Sequence, residues 1–205
     1  MKNLTFISLL FGALMFSTNA FSSELDSSEC KSKPIDKERS FTKNLEGVFN
    51  GKKLTYSASL KEKILYEKDD PSAPLASFFY SEYIVESNEN RPIMFVFNGG
   101  PGSASLWLHM GVLGPKVVKV PSDASDDGSA PYKIVDNKLS PLSETDMVFI
   151  DPVGTGYSRA AGCHEGSEFW GVNEDPKIIA EFIRRWITDS KRWNSPKYIL
   201  GESYG

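Results

Sequence analysis

The sequence predicts an α/β fold in which antiparallel N-terminal strands lead into a mostly parallel sheet. Three observations carry this reading. Residues 93–97, 145–150 and 198–200 are short, continuous apolar runs, the pattern of strands covered on both faces. Residues 173–189, between the second and third runs, have helical periodicity. Strand, helix and strand then form a βαβ unit whose strands run parallel. The third run passes directly into Gly201-Glu202-Ser203-Tyr204-Gly205. A strand entering G-x-S-x-G is the setting of a sharp turn that lifts a serine hydroxyl above the end of a parallel sheet.

The elements follow in order. Residues 1–20 have the layout of a secretory signal peptide. Met1-Lys2-Asn3 supplies a positive start, 4–16 is apolar, and Thr18 and Ala20 are small residues ahead of a cut after Ala20. The competing reading, a buried N-terminal helix, does not require that order of features. Residues 21–40 read as a polar leader and 41–205 as one domain without repeat or linker. β-prone residues that begin at 54–56 and continue through 64–66, and a further run at 75–85, predict the antiparallel strands. Residues 121–131, PSDASDDGSAP, read as an acidic surface loop. For the helix, Asn173 is placed to cap, Glu174 and Asp175 favour the positive end, and Pro176 fits the first turn. Ile179, Phe182, Ile183, Trp186 and Ile187 share its apolar face, with Glu181, Arg184, Arg185 and Asp189 on or near the other.

At 205 residues the chain can bury a sizeable core, as one domain or as part of a larger one. A net charge of -4 without a basic stripe argues against nucleic acid as a partner. After the N-terminus no run is long and apolar enough to span a membrane. Export would place Cys30 and Cys163 where disulfides persist, so a bridge between them, two unbridged thiols, and partners in sequence beyond residue 205 are all open.

The chemistry concentrates at the carboxyl ends of the three apolar runs. Asn98-Gly99-Gly100-Pro101-Gly102 follows the first, and its glycines let backbone N–H groups approach a ligand. Asp151-Pro152-Val153-Gly154-Thr155-Gly156-Tyr157-Ser158 follows the second, where open α/β sheets bind ligands. Gly154-x-Gly156 lacks the third glycine and the acidic residue of a dinucleotide fingerprint, so no cofactor is expected, and no metal either. With Ser203 as nucleophile, an oxyanion hole would come from the glycine loop and from the N–H of Tyr204. The acid and histidine of such hydrolases follow the serine in the chain. The two histidines here, His109 and His164, both precede it.

FNGGPGSAS, DMVFIDPVGTGYS and YILGESYG, in this order and spacing, resemble the signature blocks of the serine carboxypeptidase family, peptidase family S10, and most of all its exported bacterial branch. The resemblance covers roughly residues 50–205 and implies the N-terminal part of an α/β-hydrolase fold, truncated after the nucleophile elbow. It implies release of single C-terminal amino acids from peptides. By position Ser203 is the nucleophile, and Gly100 and Tyr204 donate the oxyanion-hole N–H groups. Asn98, Gly99 and Glu202 resemble the residues that hold the substrate's terminal carboxylate. A carboxyl buried beside an anion is pushed towards its protonated form, so such a site binds best in acid. There are departures. Many relatives have Cys where this chain has Ser103, and an acidic residue near the position of Val112, so one carboxylate-recognising group is missing. Trp107 and His109 follow the glycine loop; either could line the pocket, but core packing is the favoured role. His164 is read as a loop residue.

Three functional readings follow. The first is an exported serine carboxypeptidase acting on peptides with a free C-terminus. In this reading the 205-residue chain is expected to be incomplete and inactive, because the triad Asp and His are missing from it. The second is an esterase or acyltransferase on the same scaffold, and the third a non-catalytic truncated remnant.

Overall fold

The computed structural model describes residues 35, 37–87, 90–121 and 130–205. The expected signal peptide, most of the polar leader and most of the acidic loop at 121–131 lie outside these residues.

A seven-stranded mixed sheet forms the body of the molecule. Strands β1 (Ser40–Phe49), β2 (Lys52–Tyr66) and β3 (Pro74–Val85) form an antiparallel meander. β4 (Ile93–Asn98), β7 (Asp146–Ile150) and β9 (Lys197–Glu202) are mutually parallel, in the order β7-β4-β9. β7 joins the two halves by pairing antiparallel to β3. β5 (Lys116–Lys119) and β6 (Lys133–Asp136) form a separate two-stranded ribbon, and β8 (Arg159–Ala160) pairs with β3.

The runs in β4 and β7 are continuous because both faces of these strands are covered. In β9, by contrast, Tyr198 and Ile199 are exposed and Leu200 is only partly buried, which corrects the expectation for residues 198–200. Ile93 and Phe95 of β4, with Val148 and Ile150 of β7, face a core shared with helix α2 (Glu174–Asp189). Their neighbours Val96, Met147 and Phe149 face the opposite core with Leu108 and Leu142. Period-two alternation thus serves two cores instead of one core and water. α2 inserts Phe182 between Phe78 and Tyr80, with ring centroids 5.0 and 5.1 Å away, and sets Trp186 edge-on to Phe95 at 5.4 Å. Burying one such side chain contributes about 2–3 kcal/mol. Ile178 joins the expected apolar face, and Ile183 is only partly buried.

The strand signals running from 54–56 through 64–66 form one strand, β2, paired with β1 along most of its length. Two further sequence expectations are corrected here. β1 itself begins at the end of the expected polar leader. Asn173 sits at the N-cap position of α2 but makes no side-chain capping bond.

At the amino ends of the parallel strands lies a buried ion network. Asp146, fully buried, accepts from the Val85 N–H and from Arg91 at 3.0 Å, and from both terminal nitrogens of Arg192 at 3.0 Å. Arg192 also donates to the Arg91 carbonyl at 2.7 Å and Arg91 to the Leu142 carbonyl at 2.7 Å. A buried carboxylate costs several kcal/mol unless its lone pairs are filled, and here they are.

The loop before α2 is tied down by Cys163 and His164. Cys163 is disulfide-bonded, so the reading with unbridged thiols does not hold for it; Cys30, the partner weighed in the sequence, lies outside the described residues. His164 bridges two carboxylates, with Nδ1 2.8 Å from Glu168 and Nε2 2.7 Å from Glu67 in the β2–β3 connection. The Glu168 hydrogen bond, aided by Glu67, raises the affinity of the imidazole for its proton above the ordinary value. Such a histidine stabilises the fold fully below its unfolded value of about 6.5, and that contribution is lost as pH rises through the higher folded value. His164→Asn is therefore expected to lower the thermal midpoint clearly near pH 6 and barely at about pH 9. A pH-independent difference between wild type and variant would contradict the ion pairs.

Candidate active site

The pairing of β4 with β9 builds the site. Their register sets Phe97 opposite Gly201 and Asn98 opposite Glu202. The glycine loop leaving β4 and the turn leaving β9 therefore emerge side by side.

The turn is strained in the manner expected of a nucleophile elbow. Ser203 has φ +60°, a left-handed conformation that costs a non-glycine residue about 1–2 kcal/mol. A Gly205 N–H to Glu202 carbonyl bond of 2.9 Å closes the turn. A Cβ on Gly201 would fall 2.2 Å from the Gly205 carbonyl, and one on Gly205 2.7 Å from the Phe97 carbonyl. Neither position has room for a side chain, which is the physical reason for glycine at both ends of the motif.

The glycine loop packs straight onto this turn. A Cβ on Gly99 would lie 2.4 Å from the backbone nitrogens of both Tyr204 and Gly205. Gly100 follows with φ +121°. Asn98, buried, spans the junction: its Nδ2 donates to Glu202 at 3.1 Å, and its Oδ1 accepts from the Leu108 N–H at 3.1 Å. The expected residues Asn98, Gly99, Gly100, Glu202, Ser203 and Tyr204 are thus gathered at one place. Glu202 is exposed, so the burial invoked for its role as a proton-bearing recogniser is not a property of these residues alone.

Two clefts flank the serine. One of about 440 Å³ includes Ser203, Glu202, Asn98 and Gly100, walled by Trp107 and Val112. The other, of about 640 Å³, lies on the Tyr204 side and is mainly apolar, with Val153, Trp170 and Ile179 among its walls. The Tyr204 side chain reaches Asp175 in the first turn of α2 and hydrogen-bonds it.

The residues behind the glycine loop divide differently from expectation. Leu106–Leu108 forms one α-helical turn, α1, which continues as a π-helical turn over His109–Leu113. Trp107 points outward, 71% exposed, into the cleft beside Ser203, the pocket-lining role and not the favoured core position. His109 turns inward as expected, stacked on Phe149 at 4.5 Å and sharing a 2.6 Å hydrogen bond with Tyr83. Burial pulls its proton affinity down to about 4. Neither it nor His164 faces Ser203 in this arrangement.

With this geometry in place, comparison with known proteins is decisive. The family described as Serine carboxypeptidase matches residues 66–205. The chain belongs to the serine carboxypeptidase family. It is 31% identical over 129 residues to Serine carboxypeptidase-like 5 of Arabidopsis thaliana, covering 60% of this chain and 28% of the relative. It is 30% identical over 149 residues to Serine carboxypeptidase-like 46 of the same plant, covering 68% of this chain and 28% of the relative. The chain thus spans less than a third of the length of the curated relatives it matches. The sheet, with its βαβ unit and elbow, is part of the family's α/β-hydrolase fold.

One contact in the family's second block was not legible beforehand. Asp151, read from the sequence only as the start of a glycine-bearing loop, accepts the Ser105 N–H at 2.8 Å and a further bond from the Tyr157 N–H. An aspartate at a strand end followed by two glycines was the available signal.

If the left-handed turn is strained, Ser203→Gly should be more stable than Ser203→Ala by about 1 kcal/mol, because both lack the hydroxyl and only alanine keeps the Cβ penalty. Chemical denaturation of the two variants checks this. Equal midpoints would show an unstrained turn.

Proposed function

We propose that the complete protein is an exported serine-type carboxypeptidase that releases residues from the free C-terminus of peptides through a Ser203 acyl-enzyme. The observation that supports this most is the left-handed Ser203 at the end of β9, in register beside the glycine loop of β4. In this reading Ser203 Oγ attacks the last peptide carbonyl, and its proton passes to a histidine and on to the departing amino group. The Gly100 and Tyr204 N–H groups receive the carbonyl oxygen as it becomes anionic. Asn98, Gly99 and Glu202 hold the departing residue's carboxylate. Water then hydrolyses the ester and returns the proton to Ser203 through the same base.

The base and its aspartate are assigned to sequence beyond these 205 residues, because His109 bonds Tyr83 and His164 bonds two glutamates. Export rests on residues 1–20, which lie outside the described residues. No helix among the described residues is long and apolar enough to cross a membrane.

A second reading, an esterase or acyltransferase, is favoured by the cleft wall. Val112, 58% exposed, and Trp107 offer apolar surface beside Ser203 where the family resemblance leads one to expect an acidic group. Esters with blocked carboxylates, compared with free-carboxylate peptides, separate the two.

The complete protein is expected to shorten peptides from the C-terminus, with Ser203→Ala lowering kcat by at least about 1,000-fold. Hydrolysis that survives this substitution would refute the assignment. The 205-residue chain alone is expected to be inert, and Ser203-dependent turnover by it would overturn the placement of the base.

A further inference from the structure

The glycine loop that would form half of the oxyanion hole is the least self-supporting part of the site. Gly100 and Gly102 both have positive φ, +121° and +101°. Within the loop one short bond, Ser103 N–H to the Gly99 carbonyl at 3.0 Å, holds the turn. The loop's start is fixed by β4 and by Asn98. Its end is fixed by Ser105, almost fully buried, whose side chain donates to the Ile150 carbonyl and whose N–H donates to Asp151 at 2.8 Å.

Asp151 is well placed to hold that end. Its own N–H donates to the Phe79 carbonyl on β3 at 3.1 Å, and its carbonyl accepts from Ser158 Oγ at 2.7 Å. Ser158 Oγ in turn accepts from the Phe79 N–H at 2.8 Å. The backbone of Asp151 is therefore part of the rigid sheet, while its carboxylate reaches into loops. One oxygen takes Ser105. The other lies so close to Gly156, 1.9 Å from where a Cβ would stand, that no side chain fits there. The Tyr157 N–H also donates to the carboxylate. One side chain therefore ties the glycine loop, through Ser105, to the 152–157 loop that forms the facing wall of the larger cleft.

We propose that Asp151 is a positioning residue of the oxyanion hole: by accepting the Ser105 and Tyr157 N–H groups it holds the glycine loop against the elbow, so that the Gly100 and Tyr204 N–H groups converge on one oxygen. This rests on the serine hydrolase reading above. Asp151 does not touch substrate. Its effect is geometric, and misplacing a catalytic group by 1 Å costs about 100-fold in rate.

The test uses the complete protein with Asp151→Ala and Asp151→Asn. With a peptide substrate, kcat should fall by about 100-fold in the alanine variant, and KM should stay within about twofold. Affinity for a peptide aldehyde, which forms a tetrahedral oxyanion on Ser203, should fall with kcat, whereas affinity for a non-reacting product peptide should not. Asparagine keeps one acceptor oxygen and should recover part of the loss. A fall in product binding equal to the fall in kcat, or an alanine variant with unchanged kcat, would overturn the proposal. Amide exchange over 99–105 is measured in the same variants: faster exchange at Gly100 and Ser105 is expected, and unchanged exchange would also overturn it, whatever the activity. A wild-type protein without Ser203-dependent turnover would instead sink the hydrolase reading, leaving the exchange result to judge Asp151.

Discussion

The register of β4 against β9 is the constraint on which the site depends. Because side chains alternate faces along a strand, a slip of one residue would turn every side chain of β9 to the other face. It would also displace Glu202 from Asn98 and the elbow from the glycine loop. The contact is backbone on backbone: Gly99 meets Tyr204 and Gly205 at distances that exclude any Cβ. The geometry of the candidate site is thus built first from main chain, with Ser203 as its one non-glycine residue at positive φ.

Two devices hold that register from opposite ends. At the amino ends, Asp146 gathers Arg91 and Arg192, so the starts of β4 and β7 and the turn after α2 share one buried carboxylate. At the carboxyl ends, Asn98 and Asp151 tie loops to strands. Removing one partner of the first network would leave an uncompensated buried charge, a large cost to stability. The second network is partly open to solvent and lies where chemistry is expected, at the carboxyl edge of the parallel strands.

What was legible in the sequence tracks how strongly each element is buried. The runs of β4 and β7 and the amphipathic helix were readable because packing on two faces, or along one stripe, leaves a pattern in the chain. β9 is largely exposed among these residues and was readable from its β-prone residues ahead of the elbow. β1 was not, since its burial pattern is largely exposed and its place is set by pairing with β2. The β5–β6 ribbon carries few buried residues and leaves equally little trace. Side-chain direction was harder still. Trp107 and His109 stand two residues apart, and one faces the cleft and the other the core, because residues two apart on a helical turn lie about 200° around its axis. Apolarity alone does not distinguish an aromatic residue that fills a core from one that walls a cleft. The elbow and the glycine loop were legible for the opposite reason. Their glycines answer close backbone contacts, and few other arrangements require glycine at those spacings.

The most direct test of the account is a crystal structure of the complete protein with a peptide aldehyde bound covalently to Ser203. The account predicts that the tetrahedral oxygen lies about 3 Å from the backbone nitrogens of both Gly100 and Tyr204. An oxygen bonded to other donors, or a glycine loop displaced from the elbow in the adduct, would contradict it.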